Sequence, residues 1–208
     1  MSATRLRTGE NLNESNMGKV FPQSVCYNNM ARRKHYRKGW EFMGIPFNVQ
    51  VKEVSSMNVI YVRHTGPYKK DAALFEKLFG KLFEWANSKG LIKPAETKWL
   101  TLYHDTPEIT DHDKLRISVC MTVPEDADVD VDGEIGKMMI PGGKYAIGHF
   151  ELDEKQYEGA WDAMFVEWLP ESGYQPDDRL SFELYPDNQE EHPGGKHAVD
   201  IYVPIKPL

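Results

Sequence analysis

The chain has 208 residues, of which 40% are hydrophobic, 12% aromatic and 27% charged, and this suits one compact domain with a tail. The net charge of −7 argues against a nucleic-acid-binding surface spread over the whole molecule. No apolar run has transmembrane length and no signal-peptide pattern begins the chain, so we expect a cytoplasmic protein with no membrane contact.

The first 45 residues differ from the rest, and we predict a polar tail over residues 1–45. Residues 8–19 are polar and show no apolar period, and residues 31–38 carry five basic side chains, Arg32, Arg33, Lys34, Arg37 and Lys38. A charge run of this kind is typical of a solvated linker. The alternative is a segment that contacts phosphates beside a DNA-binding domain.

From residue 46 the pattern predicts a globular domain that extends to residue 208. In its first half a helix is predicted over residues 69–89, because Leu74, Leu78 and Leu82 recur every four residues beside a parallel stripe of phenylalanines. Gly90 is a natural end for this helix. Alternating hydrophobicity predicts strands over residues 49–54, 59–62, 98–104 and 115–123.

The second half repeats this order. Two strands are predicted around the turn Pro141-Gly142-Gly143, and a second amphipathic helix over residues 154–169 carries Trp161 on its apolar stripe. Two further strands are predicted over residues 180–185 and 198–205.

The two halves also match in sequence. Leu102-Tyr103-His104-Asp105 parallels Leu184-Tyr185-Pro186-Asp187, and Val119 through Pro124 parallels Val199 through Pro204. We therefore predict an α+β fold built from a duplicated strand–helix–strand–strand unit, with repeats over about 46–124 and 135–208. Two helices are expected on one face of an antiparallel sheet with pseudo-twofold symmetry.

Alternation within strands divides the sheet into two faces. The apolar positions of the central strands, such as Leu100, Val119 and Ile201, are assigned to the side that packs under the helices. The opposite face then carries an unusually aromatic set, namely Trp99, Thr101, Tyr103, Ser118, Cys120, Glu183, Tyr185, Asp200 and Tyr202. Such a composition indicates a concave ligand site rather than a solvated sheet face.

Glu183 is the asymmetric residue on this face. Its equivalent in the first repeat is Thr101, so duplication alone does not account for the carboxylate. A buried carboxyl group surrounded by aromatic side chains loses water, which raises its pKa, unless a cation compensates. An organic cation stacked on tyrosine or tryptophan rings would do so. The alternative is a solvent-facing glutamate, or one paired with an arginine such as Arg116.

Four short runs, in the right order, carry a family resemblance. They are His64-Thr65-Gly66-Pro67-Tyr68, Pro141-Gly142-Gly143-Lys144-Tyr145-Ala146, Phe182-Glu183-Leu184-Tyr185-Pro186-Asp187 and Val203-Pro204-Ile205. They resemble the GyrI-like effector-binding domains, which form the C-terminal half of many AraC-type transcription regulators and also occur alone. The resemblance implies a central ligand pocket with Glu183 as its carboxylate, and binding of diverse cationic or aromatic compounds.

The first seven residues look like the end of an AraC-type helix-turn-helix domain, with Ala3 in place of the usual proline and Leu6 in place of the aromatic. This implies that the chain is the ligand-sensing part of such a regulator. The chain has no room for two helix-turn-helix units, so we expect no specific DNA binding by these 208 residues. An arbitrary tail is the alternative.

We therefore predict a binding module without catalytic residues. Glu183 fixes the ligand, and the pocket is lined by Trp99, Tyr103, Tyr185, Trp161, Tyr68 and Cys120. One alternative, which a branch of the family implies, is a hydrolase of small electrophilic compounds with Glu183 as general acid or base. Another is an inhibitor of a partner protein. The oligomeric state stays open, with a homodimer among the candidates.

We expect neither a metal nor a cofactor. The acidic run Asp128-Val129-Asp130-Val131-Asp132-Gly133 matches the first half of an EF-hand loop, but Met139 stands where the bidentate glutamate belongs. The run therefore indicates a solvated connector between the repeats. The histidines are scattered and single, which is typical of structural or exposed residues.

Overall fold

A computed structural model describes residues 47–94, 96–107, 109–125, 127, 129–186 and 196–208. The predicted tail, its match to a helix-turn-helix end, and Asp128 of the acidic connector lie outside these residues. Among the described residues, no helix combines the length and the apolar character needed to cross a membrane.

The first unit follows the predicted order. Its elements are β1 (Asn48–Val54), β2 (Met57–Thr65), α1 (Ala72–Ser88), β3 (Trp99–Tyr103), a 3₁₀ turn (His112–Lys114) and β4 (Arg116–Thr122). Helix α1 begins after Asp71, whose Oδ1 accepts a hydrogen bond from the Leu74 amide at 3.0 Å. It ends before Gly90, whose φ of +67° is favourable for glycine. This confirms the predicted helix and its stop.

The second unit has the same order of main strands and helix with two differences. It contains β5 (Ile135–Ile140), β6 (Gly143–Leu152), α2 (Tyr157–Asp162), a π-helical stretch (Ala163–Trp168), α3 (Leu169–Glu171), β7 (Tyr174–Pro176), β8 (Phe182–Tyr185) and β9 (His197–Pro207). The predicted second helix is therefore not a regular α-helix throughout. Pro170 has no N–H to donate to the Val166 carbonyl, so the α-helical bonding pattern cannot continue there. The short strand β7 has no counterpart in the predicted repeat.

The sheet confirms the pseudo-twofold symmetry. The strand order is β1-β6-β9-β8-β3-β4-β2-β5, with β7 paired to β9 beside this path, and every strand pair is antiparallel. The equivalent strands are β1 and β5, β2 and β6, β3 and β8, and β4 and β9. Exchanging each strand with its equivalent gives the same order read from the opposite edge of the sheet. At the centre, β3 pairs with β8 so that Thr101 lies opposite Glu183. The pseudo-twofold axis thus passes between these two equivalent residues.

The first strand of each unit pairs with the other unit. Strand β1 pairs with β6, and β5 pairs with β2. The turns that follow these strands touch each other, because a Cβ on Gly142 would lie 2.7 Å from both Ser56 N and Val54 O. Only glycine allows this close approach of two backbones.

The helices cover one face of the sheet, as predicted. Helix α1 buries Phe75, Leu78, Phe79, Leu82 and Ala86 in a core shared with the second helical segment. A separate apolar cluster occupies the other face, and its buried members are Val59, Leu100, Leu102, Cys120, Ile140, Tyr145, Phe182 and Leu184.

The predicted assignment of side chains to the two faces is wrong for β3 and β8. Thr101 pairs with Val119 and Glu183 pairs with Ile201, and directly paired residues share a face. The set around Glu183 therefore lies beneath the helices, whereas Leu100 lies on the opposite face with Cys120. The error has a physical cause: both strands are buried on both faces, so each face looks apolar in the sequence.

Candidate functional site

Glu183 lies at the centre of the molecule, between the sheet and the helices, and is 0% exposed. Its Oε1 accepts a hydrogen bond from Trp161 Nε1 at 2.6 Å, and its Oε2 accepts one from the Tyr185 hydroxyl at 3.0 Å. The Tyr185 oxygen also lies 3.0 Å from Thr101 Oγ1, and either hydroxyl can be the donor. These hydrogen bonds hold the carboxylate with neutral groups.

The structure excludes a solvent-facing Glu183 and a pair between Glu183 and Arg116. Glu183 does not face solvent, since its exposure is 0%. Arg116 binds a different carboxylate, because its Nε and Nη2 donate to the two oxygens of Asp105 at 2.8 Å each. This pair holds the pKa of Asp105 below its ordinary value.

The aromatic residues named from the sequence lie in one buried core, and two of them, Trp161 and Tyr185, bind Glu183. Tyr103 contacts Trp161 edge to face with ring centroids 5.6 Å apart, and Tyr68 lies 6.1 Å from Tyr103. The two remaining residues, Trp99 and Tyr185, both contact Phe79 of α1. The ring centroid of Phe79 lies 6.2 Å from that of Trp99 and 6.0 Å from that of Tyr185. The structure thus brings five predicted aromatic residues into one cluster beneath the helices.

Cys120 is the exception among the predicted lining residues. It lies on the opposite face of the sheet, fully buried, and its Sγ donates to the Ser118 carbonyl oxygen over 3.4 Å. Burial raises the pKa of this thiol, which keeps it protonated. Cys120 is therefore a core residue outside the site. Ser118, Asp200 and Tyr202 of the predicted aromatic face also lie on this side.

Tyr157 belongs to the same buried core and was not predicted from the sequence as a site residue. It stands on α2 one helical turn before Trp161, and it is completely buried. Burial raises the pKa of its hydroxyl well above the ordinary value, and the neighbouring Tyr185 and Glu183 act in the same direction. The signal was present, because residues four apart on a helix lie on the same face. Tyr157 and Trp161 therefore share the buried face of α2, although only Trp161 lines the cleft described next.

A cleft of about 210 Å³ opens beside this cluster. Its walls come from the end of β3, the second helical segment, the segment between β7 and β8, and β9. The lining includes Tyr103, His104, Trp161, Phe165, Arg179 and Val203. Tyr103 and Trp161 therefore belong both to the aromatic cluster and to the cleft wall, and Trp161 donates to Glu183.

A larger cavity of about 430 Å³ lies elsewhere, next to the turn between β1 and β2 and the end of β4. None of the residues that line it belongs to the hydrogen-bond network of Glu183. The described part of the chain forms no group of three or more His, Cys, Asp or Glu side chains suited to a metal ion.

His104 forms a polar group at the cleft wall. Its Nε2 lies 2.9 Å from Ser118 Oγ, and Arg63 Nε donates to the same hydroxyl over 3.2 Å. Burial lowers the pKa of His104 to about 4, and the charges of Arg63 and Arg116 act in the same direction. The imidazole is therefore neutral at physiological pH, and its Nε2 can accept a hydrogen bond from the Ser118 hydroxyl.

We expect His104→Gln to flatten the pH dependence of stability below neutrality. The pKa of His104 is about 4 in the folded protein against 6.5 in the unfolded chain, so protonation favours unfolding. The stabilisation is complete above pH 6.5 and is lost as the pH falls towards 4. Allowing for solvent screening at this half-buried site, we expect the variant to lose about 1–2 kcal/mol less than the parent.

Urea unfolding at pH 7 and at pH 4.5 would measure this difference. The exposed His112 supplies the control, since His112→Gln should unfold like the parent at both pH values. Equal acid destabilisation of the parent and of His104→Gln would contradict the prediction.

Comparison with known protein families places this geometry in context. A family model described as "GyrI-like small molecule binding domain" matches residues 47–206. A protein of Serratia proteamaculans named "DNA gyrase inhibitor" is 30% identical over 160 residues, which span 76% of this chain and 97% of the relative.

Solved structures share the fold. The match to EcmrR in its DNA complex has a TM-score of 0.64 at 18% identity and covers 78% of this chain but only 58% of EcmrR. The isolated EcmrR C-terminal domain is covered completely, with 79% of this chain, a TM-score of 0.58 and 16% identity. The match to SAV2435 bound to tetraphenylphosphonium has a TM-score of 0.52 at 16% identity and covers 76% of this chain and 94% of SAV2435. The match to a hydrolase of Listeria innocua has a TM-score of 0.52 at 11% identity and covers 76% of this chain and 92% of the hydrolase.

Proposed function

The chain belongs to the GyrI-like small-molecule binding domain family, and we propose that it binds small cationic aromatic molecules at Glu183 as an effector-sensing domain. The observation that carries this proposal is a completely buried carboxylate whose two oxygens accept hydrogen bonds from the neutral donors Trp161 and Tyr185. Burying a charge is costly, and a ligand cation beside the carboxylate would lower that cost.

The aromatic cluster supports the same ligand class. Tyrosine and tryptophan faces attract organic cations and accept flat molecules of varied outline, which favours tolerance of many compounds. SAV2435, which shares the fold, was solved with the organic cation tetraphenylphosphonium.

We further propose that this binding takes place within an AraC-type transcription regulator. The support is the resemblance of residues 1–7 to the end of an AraC-type helix-turn-helix domain, and EcmrR, which shares the fold, was solved in a complex with DNA. In such a regulator, a ligand held beneath the helices changes the relative stability of two conformations and so biases the DNA-binding part.

The test is a titration of the full chain with a matched ligand pair. We expect naphthylmethylammonium to bind at least about tenfold more tightly than neutral naphthylmethanol, because only the cation compensates the Glu183 carboxylate. Isothermal titration calorimetry gives both dissociation constants. Equal affinity for the two compounds would show that the carboxylate does not recognise the ligand.

A second candidate function is binding to DNA gyrase. The observation in its favour is the 30% identity to a curated protein named DNA gyrase inhibitor over nearly the whole of that relative. A supercoiling assay with purified gyrase tests it, and undiminished supercoiling at a large excess of this chain would reject it. Hydrolysis is less well supported, because Trp161 and Tyr185 already donate to both oxygens of the would-be base.

A further inference from the structure

Tyr157 holds a buried hydroxyl that the fold does not use. The residue is 0% exposed, and among the described residues its hydroxyl oxygen has no hydrogen-bond partner. Burying a hydroxyl without a partner costs free energy, and phenylalanine would fill the same space without that cost. The hydroxyl therefore weakens the unliganded fold, which points to a function in a liganded one.

The surroundings of Tyr157 indicate what it could bind. Burial is the main cause that raises the pKa of its hydroxyl, and Tyr185 and Glu183 act in the same direction, so the hydroxyl stays protonated and neutral. One helical turn away, Trp161 donates to Glu183 and lines the cleft. Tyr157 and Trp161 thus lie on the same buried face of α2, and Trp161 binds the Glu183 carboxylate.

We propose that the Tyr157 hydroxyl accepts a hydrogen bond from the cationic nitrogen that Glu183 binds, so that the site selects protonated amines, amidines and guanidines over quaternary cations. This inference rests on the proposed function. A cation with two or more N–H groups can bond to the Glu183 carboxylate and to Tyr157 at once. A quaternary ammonium or phosphonium ion of the same shape offers no N–H and leaves Tyr157 unsatisfied.

A matched ligand pair tests the proposal on the full chain. We expect the parent protein to bind naphthylmethylammonium about tenfold more tightly than its N-trimethyl analogue, the difference that one hydrogen bond of about 1.4 kcal/mol supplies. In Tyr157→Phe this preference should fall to about twofold, through weaker binding of the primary ammonium. A preference that survives in Tyr157→Phe, or equal affinities in the parent protein, would overturn the proposal.

Thermal unfolding without ligand separates a binding role from a structural one. Tyr157→Phe removes an unpartnered hydroxyl, so its Tm should rise by about 2–4 °C. Tyr185→Phe is the matched control, and its Tm should fall because it loses bonds to Glu183 and Thr101. A lower Tm in Tyr157→Phe would assign the hydroxyl to the fold and overturn the proposal. If neither ligand binds the parent protein, the proposed function itself fails, whatever the Tm values are.

Discussion

Glu183→Gln should raise the dissociation constant for naphthylmethylammonium at least about 30-fold. The substitution removes the negative charge and keeps the shape of the side chain. Loss of one partner from a desolvated, hydrogen-bonded charge pair costs about 2–5 kcal/mol, which corresponds to this factor or more. Calorimetry measures the change directly.

The folded state should tolerate this substitution, because the hydrogen-bond chain can reverse. The glutamine oxygen can accept from Trp161, and its amide can donate to the Tyr185 oxygen. The Tyr185 hydroxyl can then donate to Thr101 Oγ1, since either of these two hydroxyls can be the donor. We therefore expect a free energy of unfolding within about 1 kcal/mol of the parent.

The matched control is Glu53→Gln on the exposed part of β1, which changes the net charge equally and should leave affinity unchanged. A Glu183→Gln protein that is folded and binds the cation as tightly as the parent would remove Glu183 from the site.

Arg179→Ala should lower the free energy of unfolding by about 2–4 kcal/mol. The guanidinium donates to the carbonyl oxygens of Gly142 and Lys144 and to Asp177 Oδ2, each at 2.9 Å, and stacks over the ring of Tyr145 at 4.6 Å. Its side chain is only 17% exposed, so water cannot fully replace these bonds. The arginine ties the turn between β5 and β6 to the segment that lines the cleft.

Urea unfolding measures the loss, and two variants control for it. Arg179→Lys keeps the charge but cannot reproduce the planar fork, so most of the loss should remain. Arg116→Ala removes an arginine with equally good bonds to Asp105 but at an exposed position, so its effect should be much smaller. Equal losses in Arg179→Ala and Arg116→Ala would refute the importance of burial.

The sequence was sufficient for the order of elements and for the symmetry. Helix α1 could be predicted because its leucine and phenylalanine stripes have a helical period and Gly90 ends them. Thr101 and Glu183, which are equivalent positions of the sequence repeat, are directly paired across the pseudo-twofold axis in the structure. Such features are local, or repeat themselves, and both kinds of signal are visible in one chain.

The position of the site relative to the helices could not be predicted in the same way. Alternation shows that Leu100 and Thr101 face opposite sides, but it does not show which side the helices cover. The choice depends on the register between β3 and β4, which pairs Thr101 with Val119. A strand buried on both faces offers no polar face to settle the question.

The exchange of the first strands has a consequence for how the molecule assembles. Neither unit contains all the strands of its half of the sheet. Strand β1 of the first unit forms the edge beside β6, and β5 of the second unit forms the edge beside β2. Separate polypeptides for the two halves would have to fold together, as complementing fragments. A single ancestral unit could have built this architecture only as a strand-swapped pair of identical chains with two equal residues facing across the dyad. In a fused chain the two positions are free to differ, as Glu183 and Thr101 do.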